Sequence, residues 1–317
     1  MTVAVGFRCT DGIVLAADSE LTFGSAKLSG PKAWSYSYSP ARADFRVGIV
    51  GAGDHGYIQF AADQIDQRLR ALTQQLDQAD VAPTVDDLQS VVQVVVNEIH
   101  HDHLYPYSQS HPYDPLTVEL LVGMRLEPNA LRLVRTSLTS VTKVWNFAAI
   151  GIGSHLANFL ATNSNTASED PTKGRVPMAH GVFWATQILM HVKKHVTGCG
   201  GQSDVIAMFE RGVAGLIKQQ TIHDHEEFLA EFEGAIRPVL FGGSDPTLAD
   251  EGFEKLVDVL AIKLKEVRKA KVIRQRAEQM RRDVTIQVPS IASAGAVGSP
   301  TVRIDEPKPT VGPKGGQ

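Results

Sequence analysis

Two blocks of strand-patterned sequence, each followed by two helix-patterned segments, leave few architectures open to this chain. The first block holds apolar runs at Val3 to Cys9, Ile13 to Ala17 and Phe45 to Val50. After the turn Gly51-Ala52-Gly53-Asp54, Tyr57, Ile58, Ala61, Ala62, Ile65, Leu69, Leu72 and Leu76 recur at helical spacing. A second helix is predicted from Thr84, an N-cap with Asp87 three residues on, to about His103. The second block has strands at Leu116 to Met124, Ala130 to Ser137 and Lys143 to Ile150. Helices then follow Gly151-Ile152-Gly153-Ser154 and span Pro177 to Val196, before a strand pair between Asp204 and Gln220. Strict strand–helix alternation would build a parallel sheet. Blocks of this kind suit two antiparallel sheets stacked face to face with helices outside each, an α+β sandwich in four layers, αββα.

The first two strands are separated by Thr10-Asp11-Gly12. With a three-residue loop and Gly12 in the left-handed region, Ala4 pairs with Asp18, which sets Thr2 diagonally from Asp18 on one face. Beyond about His223 the pattern becomes charged helix, Glu226 to Ile236 and then Thr247 to Asp283, and from Pro289 onward Pro, Gly, Ser and Lys dominate. The expected division is a domain over 1–222, a helical extension over 223–283 and a disordered tail over 284–317.

Composition removes several function classes. A net charge of −4 gives no pull toward nucleic acid or an anionic membrane. Nine basic residues between Lys263 and Arg282 face only Glu266 and Glu278, and read as a solvated helix face rather than a nucleic-acid groove. The two cysteines, Cys9 and Cys199, make neither a disulfide framework nor a metal spacing. Glu98, His100, His101, Asp102 and His103 invite a metal, but the three histidines cannot share one helical face. No metal and no cofactor is expected. Without a signal segment or an apolar run of ~18 to 20 residues, a cytoplasmic protein outside the membrane is expected.

The chemistry concentrates at the amino terminus. A threonine hydroxyl is essentially un-ionised at neutral pH and needs a base beside it. A free α-amine, with an ordinary pKa of about 7.7 to 8.0, can be that base, and a nearby lysine ammonium lowers it further. Only Met1 precedes Thr2, and a residue as small as threonine permits ordinary methionine removal. Thr2 can thus carry nucleophile and base together.

Thr2-Val3-Ala4-Val5-Gly6 followed by Asp11-Gly12-Ile13-Val14-Leu15-Ala16-Ala17-Asp18-Ser19 resembles the opening of proteasome β-subunits and their bacterial relatives, which are N-terminal nucleophile (Ntn) hydrolases. The resemblance covers about two thirds of the chain and implies the Ntn-hydrolase sandwich. It also implies Thr2 as nucleophile, Lys32 in Gly30-Pro31-Lys32-Ala33-Trp34 as the ammonium, and Asp18 as its partner, with Lys27 a competing ammonium. By the same similarity Thr22 would bind the substrate backbone, and a backbone N–H around Gly51 would supply an oxyanion hole.

Departures from the family pattern accompany it. A supporting serine of the family is Ile152 here, Ser154 matches the second serine of that turn, and a further Asp and Ser fall on Val196 and Cys199. Ser154 and Cys199 are therefore secondary candidates, and Cys199 also reads as a small buried residue. The function implied is a threonine-type peptidase acting on peptide or protein, assembled as a homo-oligomeric ring and fed by an AAA+ ATPase. A small-molecule amidohydrolase and an inactive assembly subunit of the same fold remain alternatives.

Overall fold

The fold was obtained as a computed structural model, which describes residues 2–23, 26–113, 115–127, 130–163, 175–211, 214–242, 249–269 and 284–285. The chain opens with β1 (Val3–Arg8) and β2 (Gly12–Asp18), a small hairpin β3 (Glu20–Phe23) and β4 (Ala26–Ser29), then β5 (Ala33–Tyr38) and β6 (Phe45–Gly53). Helices α1 (His55–Ala79) and α2 (Val85–Ile99) follow, with one π-helical turn (His100–Leu104) leading into α3 (Tyr105–Ser110). The second block is β7 (Val118–Leu126), β8 (Ala130–Ser137), β9 (Ser140–Val144), β10 (Phe147–Gly151), α4 (Ser154–Asn163), α5 (Met178–His195), β11 (Ser203–Phe209) and β12 (Ala214–Ile217). Helices α6 (Gln219–Gly242) and α7 (Asp250–Lys269) and a two-residue strand β13 (Val284–Thr285) complete the described elements.

One sheet has the order β10-β1-β2-β11-β12-β13 and the other β5-β6-β7-β8-β9, with every pairing antiparallel. Three apolar clusters fill the spaces between four layers. Val3, Val5, Phe7, Val14 and Ala16 pack against Val182, Ala185, Leu189 and Val192 of α5. The alternate residues Ala4, Ile13, Leu15 and Ala17 meet Val50, Leu121 and Leu133 of the facing sheet. On that sheet's far side Ile49, Leu120 and Val122 pack under Ile58, Ile65, Leu88 and Val92 of α1 and α2. Strand alternation thus feeds one helical layer and the sheet-to-sheet core from the same strand. The expected αββα sandwich of two antiparallel sheets is the architecture observed.

The helix starts follow their sequence signals. The Asp54 side chain accepts the N–H of Tyr57 and caps α1, and Thr84 with Asp87 forms a reciprocal capping box on α2. The β3–β4 hairpin and β5, for which no element was predicted, are additions. Helix α6 begins at Gln219, before the predicted start at Glu226, and continues through Pro238. Of the helix expected over Thr247 to Asp283, residues 270–283 lie outside the described residues, as does the tail expected over 284–317 apart from Val284 and Thr285.

The first hairpin corrects two expectations. Ala4 pairs with Ala17, not Asp18, and Val3 therefore stands opposite Asp18. The cause is a connection of two residues, Thr10 and Asp11, closed by Cys9 N–H donating to the Gly12 carbonyl at 2.9 Å. Gly12 is already part of β2, paired with Phe209, and its φ is not left-handed. A glycine is needed there for room: a Cβ would lie 1.9 Å from Met178 Sδ and 2.4 Å from the Met208 carbonyl oxygen. The turn is held from outside, by Asp11 Oδ1 accepting Met178 N–H at 2.7 Å and Thr10 N–H donating to Val176 O at 3.0 Å. Tertiary contacts, not intrinsic turn preference, fix the register.

Candidate active site

Strand β1 is an interior strand, with β2 on one edge and β10 on the other, so Thr2 lies at the end of two ladders. β5 of the opposite sheet starts at Ala33, and the residue before it, Lys32, reaches back toward that end. Three ionisable or nucleophilic side chains from three segments meet there: Thr2 is 2% exposed, Asp18 0% and Lys32 1%. A lysine this buried must have its three N–H donors satisfied. Lys32 Nζ donates to Thr2 Oγ1 at 2.7 Å, to Asp18 Oδ1 at 3.2 Å and, in a short contact, to the carbonyl of Glu20.

Asp18 is anchored as fully. Its Oδ1 also accepts Val3 N–H at 3.0 Å, and its Oδ2 accepts Gly200 N–H at 3.0 Å. Burial raises the Asp18 pKa, opposed by the Lys32 ammonium and the two N–H donors. Burial likewise lowers the Lys32 pKa, opposed by the Asp18 charge. Because Val3, not Thr2, faces Asp18 across the ladder, the link from Thr2 to Asp18 runs through the lysine.

Lys27 stands elsewhere: it pairs with Glu20 at 3.0 Å across the β3–β4 hairpin and its side chain is 62% exposed. Thr22 pairs with Lys27 in that hairpin through the backbone, and its side chain lies outside the described residues. Gly51 adjoins the cluster, but its N–H donates to the Lys32 carbonyl at 3.2 Å. Asp54 N–H turns the other way, toward Thr117 O. By the alternation of a strand, Gly53 N–H then points with Gly51 past the start of β5, on the Lys32 side. Gly53 has φ +118°, and a Cβ would meet Thr117 O at 1.9 Å, so only glycine fits.

Ser154 opens α4. The turn before it packs on the chain start: Gly153 N–H donates to Thr2 O at 3.5 Å, and a Cβ on Gly151 would lie 2.3 Å from Thr2 O. Cys199 is buried, and its thiol is pushed up to about 12, by burial first and then by the Asp18 charge. Sequence reasoning missed the backbone groups of Val3, Glu20 and Gly200. Among the described residues no group of three or more His, Cys, Asp or Glu could hold a metal ion, and no helix is long and apolar enough to cross a membrane.

No family model and no curated protein matches the sequence. Solved structures do. Anbu, an ancestral β-subunit, from Yersinia bercovieri superposes with a TM-score of 0.56 at 15% identity, covering 74% of this chain and 96% of that one. The chain has the fold of Anbu. A Gly-1 mutant of Anbu from Hyphomicrobium sp. strain MC1 gives a TM-score of 0.56 at 14% identity, over 76% of this chain and 96% of the other. Nearly the whole of each Anbu chain finds a counterpart, while about a quarter of the present chain does not. At such identities the likeness to Anbu is one of fold.

Proposed function

We propose that this chain is a threonine-type amide hydrolase, a proteasome-like peptidase in which Thr2, freed by removal of Met1, is the nucleophile. The observation that carries the proposal is the 2.7 Å contact from Lys32 Nζ to Thr2 Oγ1 inside a buried cluster shared with Asp18. A surface lysine meeting a threonine would mean little. Taking an ammonium out of water costs several kcal/mol, roughly, even when it is paired, and a purely structural role is met more cheaply by apolar packing.

The steps follow from the groups present. The α-amine of Thr2 takes the Oγ1 proton as Oγ1 adds to the amide carbonyl, and the Lys32 ammonium keeps that amine neutral by like-charge repulsion. A backbone donor on the β6 edge, Gly53 N–H by strand alternation, stabilises the tetrahedral oxygen. The amine then passes its proton to the leaving nitrogen, leaving an ester on Oγ1. The same amine deprotonates water to hydrolyse that ester and restore the hydroxyl. Asp18 holds the lysine charged and aimed.

A homo-oligomeric ring and an AAA+ ATPase partner go with this reading, as do peptide or protein substrates and a cytoplasmic setting. The proposed division remains a hydrolase domain over 1–222, a helical extension over 223–283 and a tail over 284–317, the first boundary falling in the opening turn of α6.

Intact-mass measurement and labelling with a peptide epoxyketone test it, since that reagent closes a ring on Oγ1 and the free amine together. Expected are loss of Met1, one adduct on the wild type and none on Thr2→Ala. Retention of Met1 throughout the preparation, or no adduct on the Met1-free protein, overturns the proposal.

A further inference from the structure

Helix α6 is tied to the segment beside Asp18 by hydrogen bonds and an ion pair. Glu226, in its second turn, places Oε1 2.7 Å from Lys193 Nζ of α5 and accepts the Ser203 hydroxyl at 2.7 Å. Lys193 Nζ also donates to Ser203 Oγ at 2.9 Å and to the Gly201 carbonyl at 3.3 Å. Ser203 is 1% exposed and stands opposite Asp18 in the β2–β11 ladder.

The segment gripped in this way closes on the site. Gly200 N–H donates to Asp18 Oδ2, Gln202 N–H to Ser19 Oγ at 2.8 Å, Ser19 N–H to Gln202 O at 2.9 Å and Glu20 N–H to Gly200 O at 3.1 Å. The peptide that Lys32 uses as its third acceptor, Glu20 C=O, belongs to the same zipped segment. Gly201 (φ +70°) and Gly200 allow this approach, because a Cβ on either would strike Ser19 Oγ or Glu20 Oε2 within 2.6 Å.

We propose that Glu226 is a positioning residue: through Lys193 and Ser203 it fixes the 200–203 segment whose Gly200 N–H and Glu20 partner hold Asp18 and Lys32 in place. The inference rests on the reading of Thr2, Asp18 and Lys32 as the working cluster, and it gives the helical extension a part in the site. Without an acceptor at position 226, the Lys193 ammonium, only 14% exposed, and the Ser203 hydroxyl each lose a hydrogen-bond partner, and the ammonium moves toward water, releasing Gly201 O and Ser203. Glutamine keeps an acceptor oxygen at the same reach, whereas alanine removes it.

Two readouts on the full chain separate the possibilities. Hydrogen exchange of the peptide covering 198–203 is expected to speed up about tenfold in Glu226→Ala and in Lys193→Met, and to stay within twofold in Glu226→Gln, with sheet amides of β6 and β7 unchanged. Turnover of a fluorogenic peptide is expected to lose about tenfold in kcat with KM unchanged in Glu226→Ala, and to be restored in Glu226→Gln. Unchanged exchange at 198–203 in Glu226→Ala overturns the inference, as does a rise spread evenly over all sheets or a loss confined to KM. If wild type shows no turnover the catalytic reading fails alone, and the exchange arm still decides whether α6 fixes this segment.

Discussion

Asp18 accepts the backbone N–H of Val3 at 3.0 Å, so the strand bearing Thr2 is bolted to the carboxylate at the residue next to the proposed nucleophile. The same oxygen receives the Lys32 ammonium. One acceptor therefore sets both the height of the chain start and the position of the charge that acts on it.

That sharing predicts a large and separable cost for breaking the pair. Lys32→Met leaves a buried carboxylate with backbone donors only, and should lower unfolding stability by about 3 kcal/mol while abolishing most turnover. The double variant Asp18→Asn with Lys32→Met should regain most of the stability and none of the activity. Urea titrations of both single variants and of the double variant check this, and a double-variant loss equal to the sum of the two single losses would show the two side chains to be energetically independent.

The pH dependence of stability has a defined sign. Burial raises the folded pKa of Asp18, so between the unfolded carboxylate value and that raised value the native state binds more protons, and its contribution falls as pH rises. Burial lowers the folded pKa of Lys32, so below the unfolded lysine value the denatured state binds more protons, and the contribution rises with pH toward that value. The stability of wild type minus that of the double variant should pass through a minimum near neutrality. Urea midpoints at pH 5, 7 and 9.5 measure it; a maximum at pH 7 would contradict the assignment.

Two glycines should respond to alanine in opposite senses. Gly12→Ala drives a Cβ into the Met208 carbonyl, a backbone atom that cannot swing away, and should destabilise by about 1 to 3 kcal/mol. Gly234 of α6 has nothing within 4 Å of such a Cβ, and Gly234→Ala should stabilise by about 0.5 to 1 kcal/mol through helix propensity. Thermal melts of the two variants test both directions.

Both thiols should be silent in the native protein. Cys9 and Cys199 are buried and each is pushed up to about 12, so the thiolate fraction at pH 8 is on the order of one in ten thousand. Ellman's reagent should release no thiol colour within minutes from folded protein and two equivalents from protein in guanidinium. Rapid release of one equivalent without denaturant would mean Cys199 is open to solvent.

Much of the architecture was legible because it is periodic. The alternation from Val3 to Ala17 and the helical stripe from Ile58 to Leu69 each name the layer they face, and Thr84 with Asp87 marks a helix start within one residue. The register of the first hairpin was misread by one because its turn is set by Asp11 reaching Met178, a partner 167 positions away that leaves no local trace. The site divides similarly. Its side chains have chemical identities that a sequence displays, whereas the N–H groups of Val3 and Gly200 and the carbonyl of Glu20 belong to every residue type. Gly51 was singled out as a donor, yet the start of β5 at Ala33 brings the Lys32 carbonyl onto its N–H. Glu226 entered the sequence reading only as the start of a charged helix, and the fold sets Lys193 and Ser203 beneath it.

The interior place of β1 also governs when such a site can exist during synthesis. Its neighbours are β2 and β10, and the Asp18 carboxylate of β2 waits for Gly200, so the cluster beside Thr2 is not finished until some two hundred residues have left the ribosome. At ~5 to 20 residues per second that is an interval of about ten to forty seconds. On the proposed reading of Thr2 as nucleophile, the nascent chain spends that time before Lys32 is held beside it, and the cluster belongs to the completed sandwich alone.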